Sequence, residues 1–252
     1  IKKIMAIQIY PVEKQIKGGF NDGEIVENKP IQMSHDKSKL QPYSNIFYWA
    51  HASATVTSTI GLHPHQGFEI MSFVLKGTIE HYDTKNKKWI PLKAGDVQII
   101  RAGSGISHAE KITENSSIFQ IWLDPDISKS FYQPATYNDY EAEIFPVITK
   151  NGFSIKTFKG EGAPLEMQTP GINIQEITFS SGSHKLELEN DQIHSMYLMD
   201  GDMLLENRTL NPDDFIVVDE HNTLNFSSET GGKIFVISSL SEVPYETYVA
   251  SR

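Results

Sequence analysis

Residues 61–69 carry the most closely spaced metal-binding side chains of the sequence, His63 and His65. Residues two apart in an extended chain point to the same face, so both imidazoles can reach one point. Pro64 stiffens the backbone between them and favours the entrance or edge of a sheet over a central strand. The pair alone does not establish a metal site, because two surface histidines in a turn have the same spacing.

A second pair, His108 and Glu110, has the same spacing and follows a Gly-rich segment at residues 102–107. The two pairs lie on either side of a predicted β-hairpin that turns at Gly77, so they can face each other inside a small barrel. Three neutral imidazoles and one carboxylate suit a divalent first-row metal with coordination positions left open.

The composition narrows the chemistry further. The chain has 252 residues, nine His, no Cys and a formal charge of −10. Without Cys, disulfides, iron–sulfur clusters, thiolate zinc sites and a Cys nucleophile are excluded. The acidic balance disfavours nonspecific binding to nucleic acid or to anionic lipid. The apolar run at residues 4–7 is too short to be a signal-peptide core or to span a membrane, so we expect a cytoplasmic protein without membrane or nucleic-acid partners.

Short apolar or alternating stretches indicate strands, and no long amphipathic helix accompanies them. These stretches lie at residues 4–10, 47–50, 70–75, 78–82, 89–92, 97–100, 117–123, 171–179, 195–199, 203–205, 215–218 and 234–237. We expect a turn-rich stretch at 15–41 and a linker at 124–140, with a short helix near 138–141. Both halves repeat strand, Gly turn, strand, acidic turn, strand, which indicates a duplicated all-β unit, either a sandwich or a barrel.

Other candidate residues are expected to have ordinary structural roles. His81, in the predicted hairpin, is interpreted as an ordinary packed or surface histidine, and the alternative is that it orients a ligand imidazole. Asp83 is interpreted as a solvated residue beside a turn. In the second half, His184 and His194 are ten residues apart, and no His-x-His pair accompanies them. A second metal site is therefore not expected.

The stretch from residue 47 to 123 resembles a pirin-type bicupin. The matching motifs are HPHQGFE (63–69), VLKGTIEHYD (74–83), GDVQ (95–98), AGSGISHAE (102–110) and QIWL (120–123). The remainder resembles the family only as a second, diverged cupin. The resemblance implies two double-stranded β-helix (jelly-roll) barrels, with a metal-binding cupin at residues 1–130 and a cupin without metal at residues 131–252.

The resemblance also implies a ligand set. In pirins the two His of HPH and the His and Glu of HAE hold the metal, which implies His63, His65, His108 and Glu110 here. Ordinary cupins use the Glu four residues after the second His, so Glu69 is the alternative fourth ligand. Fe(II) is the metal that the family implies, although the ligand set also accepts Ni, Co, Cu or Zn. Gln66 stands where pirins commonly carry Arg, which bears on substrate preference.

The function implied by the family is a metal-dependent dioxygenase, similar to the bacterial pirin-related quercetin dioxygenases. Such an enzyme cleaves a flavonol-like aromatic ring with O₂, and Glu110 would take the proton of the substrate hydroxyl as the catalytic base. Two alternatives stay open: an iron-binding regulatory or redox-sensing module that meets a protein partner without turnover, and a structural cupin with an incidental metal.

Overall fold

A computed structural model describes residues 7–250, and its regular structure is almost entirely β, which confirms the predicted all-β class. Part of the predicted opening strand, residues 4–6, lies outside the described residues. The chain forms two compact units. The N-terminal unit contains Gln15–Ile144, Met167–Pro170 and the chain from Val243. The C-terminal unit contains the chain up to Lys14, Phe145–Glu166 and Gly171–Glu242.

Each compact unit therefore combines separate segments, whereas the predicted division made one cut after residue 130. In chain order, the strands up to residue 140 are β1 (Ile7–Tyr10, in the C-terminal unit), β2 (Ile16–Phe20), β3 (Ile25–Ile31), β4 (Ile46–Ala54), β5 (Ser58–His65), β6 (Glu69–Lys76), β7 (Thr78–Asp83), β8 (Trp89–Lys93), β9 (Val97–Arg101), β10 (Ile106–Ile112), β11 (Ser117–Leu123) and β12 (Thr136–Tyr140). The rest are β13 (Val147–Lys150), β14 (Phe153–Lys159), β15 (Asn173–Phe179), β16 (Gly182–Glu187), β17 (Gln192–Gly201), β18 (Met203–Leu205), β19 (Arg208–Leu210), β20 (Phe215–Val218), β21 (Thr223–Ser228) and β22 (Gly232–Leu240).

Helices are few and short. They are α1 (Ile127–Ser130) and the 3₁₀ turns Val12–Lys14, Asn21–Gly23 and Ala142–Ile144. Among the helices of the described part of the chain, none has the length and the apolar character that crossing a membrane requires.

Two antiparallel sheets make up the N-terminal unit. The seven-stranded sheet has the order β12-β9-β6-β11-β4-β3-β2, and the four-stranded sheet has the order β5-β10-β7-β8. Strand β6 is buried on both faces over residues 69–74, which accounts for its mostly apolar sequence. Strand β5 lies at the edge of its sheet, as Pro64 predicts.

The prediction of a β-hairpin around Gly77 is wrong. Strands β6 and β7 belong to different sheets, so the chain crosses from one sheet to the other at Gly77. Gly77 has a φ of 72°, and a Cβ at this position would collide with the Ser116 side chain. The true hairpin joins β7 to β8, where Tyr82 pairs with Trp89.

The predicted linker at 124–140 is also structured. It contains α1 and then β12, which pairs with β9 through Tyr137 and Ile100 and so extends the seven-stranded sheet. A strand therefore replaces the helix predicted near residue 138. The stretch at 15–41, predicted to be turn-rich, contains β2 and β3. In both segments the chain forms strands because it pairs with strands that are distant in sequence, and local periodicity does not report such pairing.

The C-terminal unit repeats this arrangement. Its seven-stranded sheet has the order β1-β20-β17-β22-β15-β14-β13, and its four-stranded sheet has the order β16-β21-β18-β19. In both four-stranded sheets the first strand in chain order lies at the edge, next to the last. The repeated strand order supports the duplication that the sequence indicates.

Candidate metal centre

Three histidines converge on the paired strands β5 and β10. His108 lies directly opposite His63, and Ile106 lies opposite His65. One nitrogen from each imidazole belongs to a group in which all the nitrogens lie within 4.8 Å of one another. Such separations allow the three nitrogens to bind one ion, since metal–nitrogen bonds are about 2.0–2.1 Å long.

A bulge in β5 sets the position of His63. Opposite β10, the register shifts between His108 and Glu110, because Glu110 pairs with Ile60 while His108 pairs with His63. The additional length of β5 includes Gly61, whose carbonyl oxygen lies 2.8 Å from the His63 Nδ1. A carbonyl only accepts, so Nδ1 carries the proton and the Nε2 lone pair is available for a metal.

The buried imidazoles fit a metal ion. His65 Nε2 and both ring nitrogens of His108 are buried and have no hydrogen-bond partner among the described residues. Unpaired polar atoms are costly in a protein interior and call for a partner. Burial, reinforced by the neighbouring histidines, lowers the pKa of both His65 and His108 to about 3. Both rings are therefore neutral near pH 7, which is the state that ligates metals.

Glu110 lies beside the three histidines but outside their group. Its side chain is buried, and its Oε1 accepts a hydrogen bond from Ser72 Oγ at 3.1 Å. Its Oε2 accepts one from Gln120 Nε2 at 2.6 Å. The negative charge of Glu110 partly offsets the lowering of the His65 pKa, so the two groups are close enough to interact. The structure thus brings three of the predicted ligands together and places the fourth next to them.

Glu69, the alternative ligand, is directed to other partners. Its Oε1 accepts from the Gln168 backbone N–H at 2.7 Å, and its Oε2 accepts from the Thr169 backbone N–H at 2.8 Å and from the Thr169 hydroxyl. Arg101 Nε lies 3.7 Å from Oε1. Burial raises the pKa of Glu69, and these donors oppose that effect. Glu69 therefore anchors the segment Met167–Pro170.

His81 and Asp83 form a fully buried pair next to His108, with His81 Nε2 3.2 Å from Asp83 Oδ2 and the His81 ring 5.5 Å from that of His108. The prediction that Asp83 is solvated is wrong. Its carboxylate also accepts hydrogen bonds from the backbone N–H groups of Lys85 and Asn86, each at 2.7 Å. These bonds organise the turn between β7 and β8, as Asp residues at turns commonly do.

A cleft of about 510 Å³ opens beside the histidines. Its lining residues are Pro64, His65, Gln66, Phe68, Thr84, Gly105, Ile106 and Ser107. The rings of Phe68 and Trp122 lie 5.4 Å and 5.2 Å from the ring of His65, and 5.2 Å from each other. One wall of the site is therefore aromatic.

The corresponding strands of the C-terminal unit carry different chemistry. Leu186 of β16 lies opposite Leu224 of β21, and both belong to an apolar cluster that also contains Phe226. His184 pairs with Phe226 across the strands, and its Nε2 lies 2.7 Å from the Ser180 carbonyl oxygen. Among the described residues, the histidines near one another in a metal-binding arrangement are those of the N-terminal unit.

The part of the sequence that carries the histidines is similar to known proteins. Residues 24–123 match the Pirin family model. Pirin-like protein 2 of Arabidopsis thaliana is 34% identical over 113 residues, which cover 43% of this chain and 35% of the relative. Quercetin 2,3-dioxygenase of Escherichia coli K12 is 46% identical over 70 residues, which cover 26% of this chain and 29% of the relative. The matched parts thus span about a third of the length of these relatives.

The fold agrees over a longer stretch. The structure aligns with the crystal structure of the bacterial pirin YhhW from Escherichia coli in complex with nickel(II). The aligned region covers 94% of this chain and 100% of the YhhW chain. Its TM-score is 0.75 at 15% sequence identity, which shows a shared fold. The segment that matches the family model contains all three clustered histidines together with Glu110. The sequence match therefore relates residues 24–123 of this chain to the pirin family, and the fold shared with a bacterial pirin extends over nearly the whole chain.

Proposed function

We propose that this protein is a metal-dependent dioxygenase of the pirin type. It would cleave the ring of a flavonol-like substrate with O₂, using a metal held by His63, His65, His108 and Glu110. The observation that carries the proposal is the group of imidazoles with buried, unpaired nitrogens beside a cleft that Phe68 lines. The relative named quercetin 2,3-dioxygenase and the pirin solved with nickel(II) support it.

Fe(II) is the proposed metal, and Ni, Co, Cu and Zn would also be accepted by nitrogen and oxygen ligands. A divalent metal in this position supplies Lewis acidity, which lowers the pKa of a coordinated hydroxyl group. The side chains contribute the remaining functions. Phe68, which lines the cleft and packs against Trp122, offers a flat surface against which a planar aromatic substrate can stack. Glu110, buried beside His65, is the base that receives the proton of the substrate hydroxyl.

The test compares the wild type with a His63→Ala, His108→Ala double variant. Each protein is loaded with Fe(II) and mixed with quercetin under O₂, and both the flavonol absorbance and the O₂ concentration are followed. We expect the wild type to consume both reactants and the double variant to lose metal and activity. His184→Ala is the matched control, because it removes a histidine of the C-terminal unit, and it should retain both properties.

The possible outcomes separate the alternatives. A wild-type protein that loses its metal on dialysis would contradict the metal centre. A wild-type protein that retains the metal but is inert with several metals and flavonols would contradict the dioxygenase and favour a sensing module without turnover.

A further inference from the structure

A row of polar side chains crosses the interior of the N-terminal unit. Ser72 of β6 lies opposite Gln98 of β9 on one side and opposite Gln120 of β11 on the other. All three are buried. Directly opposed residues of antiparallel strands share a face, so the three side chains form one line across the seven-stranded sheet.

This row separates two apolar layers. Ile70 and Val74 lie on the same face of β6 as Ser72, two positions before it and two after it. They belong to different apolar clusters. On β11, Trp122 packs against the cluster of Ile70, and Ile118 belongs to that of Val74. Burying amide and hydroxyl groups between apolar layers is unfavourable unless they have a specific partner.

The partner of two of these groups is Glu110, which projects from the facing sheet. Ser72 and Gln120 donate one hydrogen bond to each of its carboxylate oxygens, at 3.1 Å and 2.6 Å. Gln98 instead donates to Asp139 Oδ1 at 2.7 Å. The row therefore contains two side chains that hold Glu110 and a third, equally buried, that does not.

We propose that Ser72 and Gln120 are positioning residues of the metal centre. By occupying one lone pair on each oxygen, they fix the rotation of the Glu110 carboxylate and leave its other lone pairs available to a metal. A ligand held in this way loses less freedom when the metal binds, so the two donors increase metal affinity. The inference rests on the proposed function in one respect, the assignment of Glu110 as the fourth ligand.

The test measures metal affinity without turnover. The dissociation constant for Co(II) is determined by competition with a chelator for the wild type, Gln120→Met and Ser72→Ala, and the visible absorption of bound Co(II) is recorded. Met fills nearly the volume of Gln but has no amide. We expect Gln120→Met to bind Co(II) about 10–100-fold more weakly, with an altered spectrum. Ser72→Ala should weaken binding by a smaller factor, and Ser72→Thr, which retains the hydroxyl, should restore it.

Gln98→Met is the matched control, because it removes an amide from the same row without touching Glu110. Its Co(II) affinity and spectrum should equal those of the wild type. Thermal unfolding of each metal-free variant verifies that the N-terminal unit is folded. Tighter or unchanged binding by Gln120→Met, or an equal loss in Gln98→Met, would overturn the inference.

Glu110→Gln separates failure of the inference from failure of the proposed ligand set. If Glu110→Gln binds Co(II) as tightly as the wild type, Glu110 is not a ligand and the proposed centre itself is wrong. If Glu110→Gln binds weakly while Gln120→Met binds normally, the ligand set stands and only the positioning role is refuted.

Discussion

Replacing His108 by Leu should stabilise the metal-free protein, although it removes a predicted metal ligand. The side chain of His108 is 0% exposed, and neither ring nitrogen has a hydrogen-bond partner within the described residues. Burial and the neighbouring histidines lower its pKa to about 3, so the ring is neutral near pH 7. The metal-free protein therefore holds two polar atoms in its interior without compensation.

The magnitude follows from the cost of an unpaired polar group. Burying such a group costs roughly 1–3 kcal/mol, and Leu fills a similar volume without one. We therefore expect His108→Leu to raise the free energy of unfolding by about 1–3 kcal/mol. The matched control is His194→Leu in the C-terminal unit. His194 is also buried, but its Nδ1 lies 2.7 Å from Ser238 Oγ and its Nε2 lies 3.0 Å from the Glu189 carbonyl oxygen.

His194→Leu should lower stability by about 1–3 kcal/mol, because it removes both bonds and leaves their partners unpaired. Urea unfolding in the presence of a chelator measures both variants. The three Trp of the chain, Trp49, Trp89 and Trp122, all lie in the N-terminal unit, so their fluorescence follows that unit selectively. Far-ultraviolet circular dichroism follows both units.

Adding metal should reverse the order of stability. At a free metal concentration about 1,000 times the dissociation constant, binding stabilises the wild type by about 4.1 kcal/mol, which exceeds the gain expected for His108→Leu. His108→Leu should gain little, since one ligand is missing. A His108→Leu protein that is less stable than the wild type in chelator, as His194→Leu is expected to be, would refute the reasoning that His108 is unpaired in the metal-free state.

Two further predictions concern carboxylates outside the proposed ligand set. Glu69→Gln should retain the wild-type metal stoichiometry, measured by elemental analysis after dialysis, while lowering the unfolding temperature, because the variant weakens the anchor of Met167–Pro170; loss of the metal would restore Glu69 as the fourth ligand. Asp202 accepts hydrogen bonds from the backbone N–H groups of Glu229 and Thr230, and its pKa is lowered from 3.8 to about 2, first of all by the Thr230 hydroxyl. Because the folded-state pKa is depressed, this stabilisation is complete above about pH 4 and is lost as the pH falls toward about 2. Asp202→Asn should therefore unfold at a lower temperature than the wild type at pH 5, and circular dichroism should show the two converging near pH 2; a difference independent of pH would contradict the assignment.

The sequence predicted those strands that are largely apolar and are flanked by turn residues. The bounds predicted for β11, β18 and β20 agree with the structure, because apolar residues predominate in these strands and turn residues flank them. The placement of β6 and β7 in one hairpin was wrong because a crossing between two sheets leaves the same local pattern as a tight turn. Which strands pair is decided by contacts far apart in the chain, and periodicity carries no information about them.

The site was predictable to a similar extent. The spacing of His63, His65 and His108 indicated the three imidazoles that the structure brings together. Ser72 and Gln120 were missed, although a signal was present: each interrupts a run of apolar residues. Without the register of β6 and β11, nothing in the sequence relates the two residues to each other or to Glu110.

The two units provide an internal comparison of what the fold requires. Both contain a four-stranded sheet of the same order, and in both the edge strand pairs with the last strand of the set. In the C-terminal unit, Leu186 and Leu224 oppose each other at this pairing, within an apolar cluster. In the N-terminal unit, His63 and His108 oppose each other, and buried nitrogens stay unpaired.

The C-terminal unit forms this architecture with the apolar pair Leu186 and Leu224 between the two strands. The fold itself therefore does not require the opposed histidines of the N-terminal unit. The imidazoles and the row that holds Glu110 therefore lower the stability of the metal-free N-terminal unit relative to an apolar interior. Local choices that oppose stability and converge on one point are the expected signature of a binding site. The gain in free energy of unfolding expected for His108→Leu measures that loss of stability directly. If the gain disappears when metal is added, the polar interior serves metal binding.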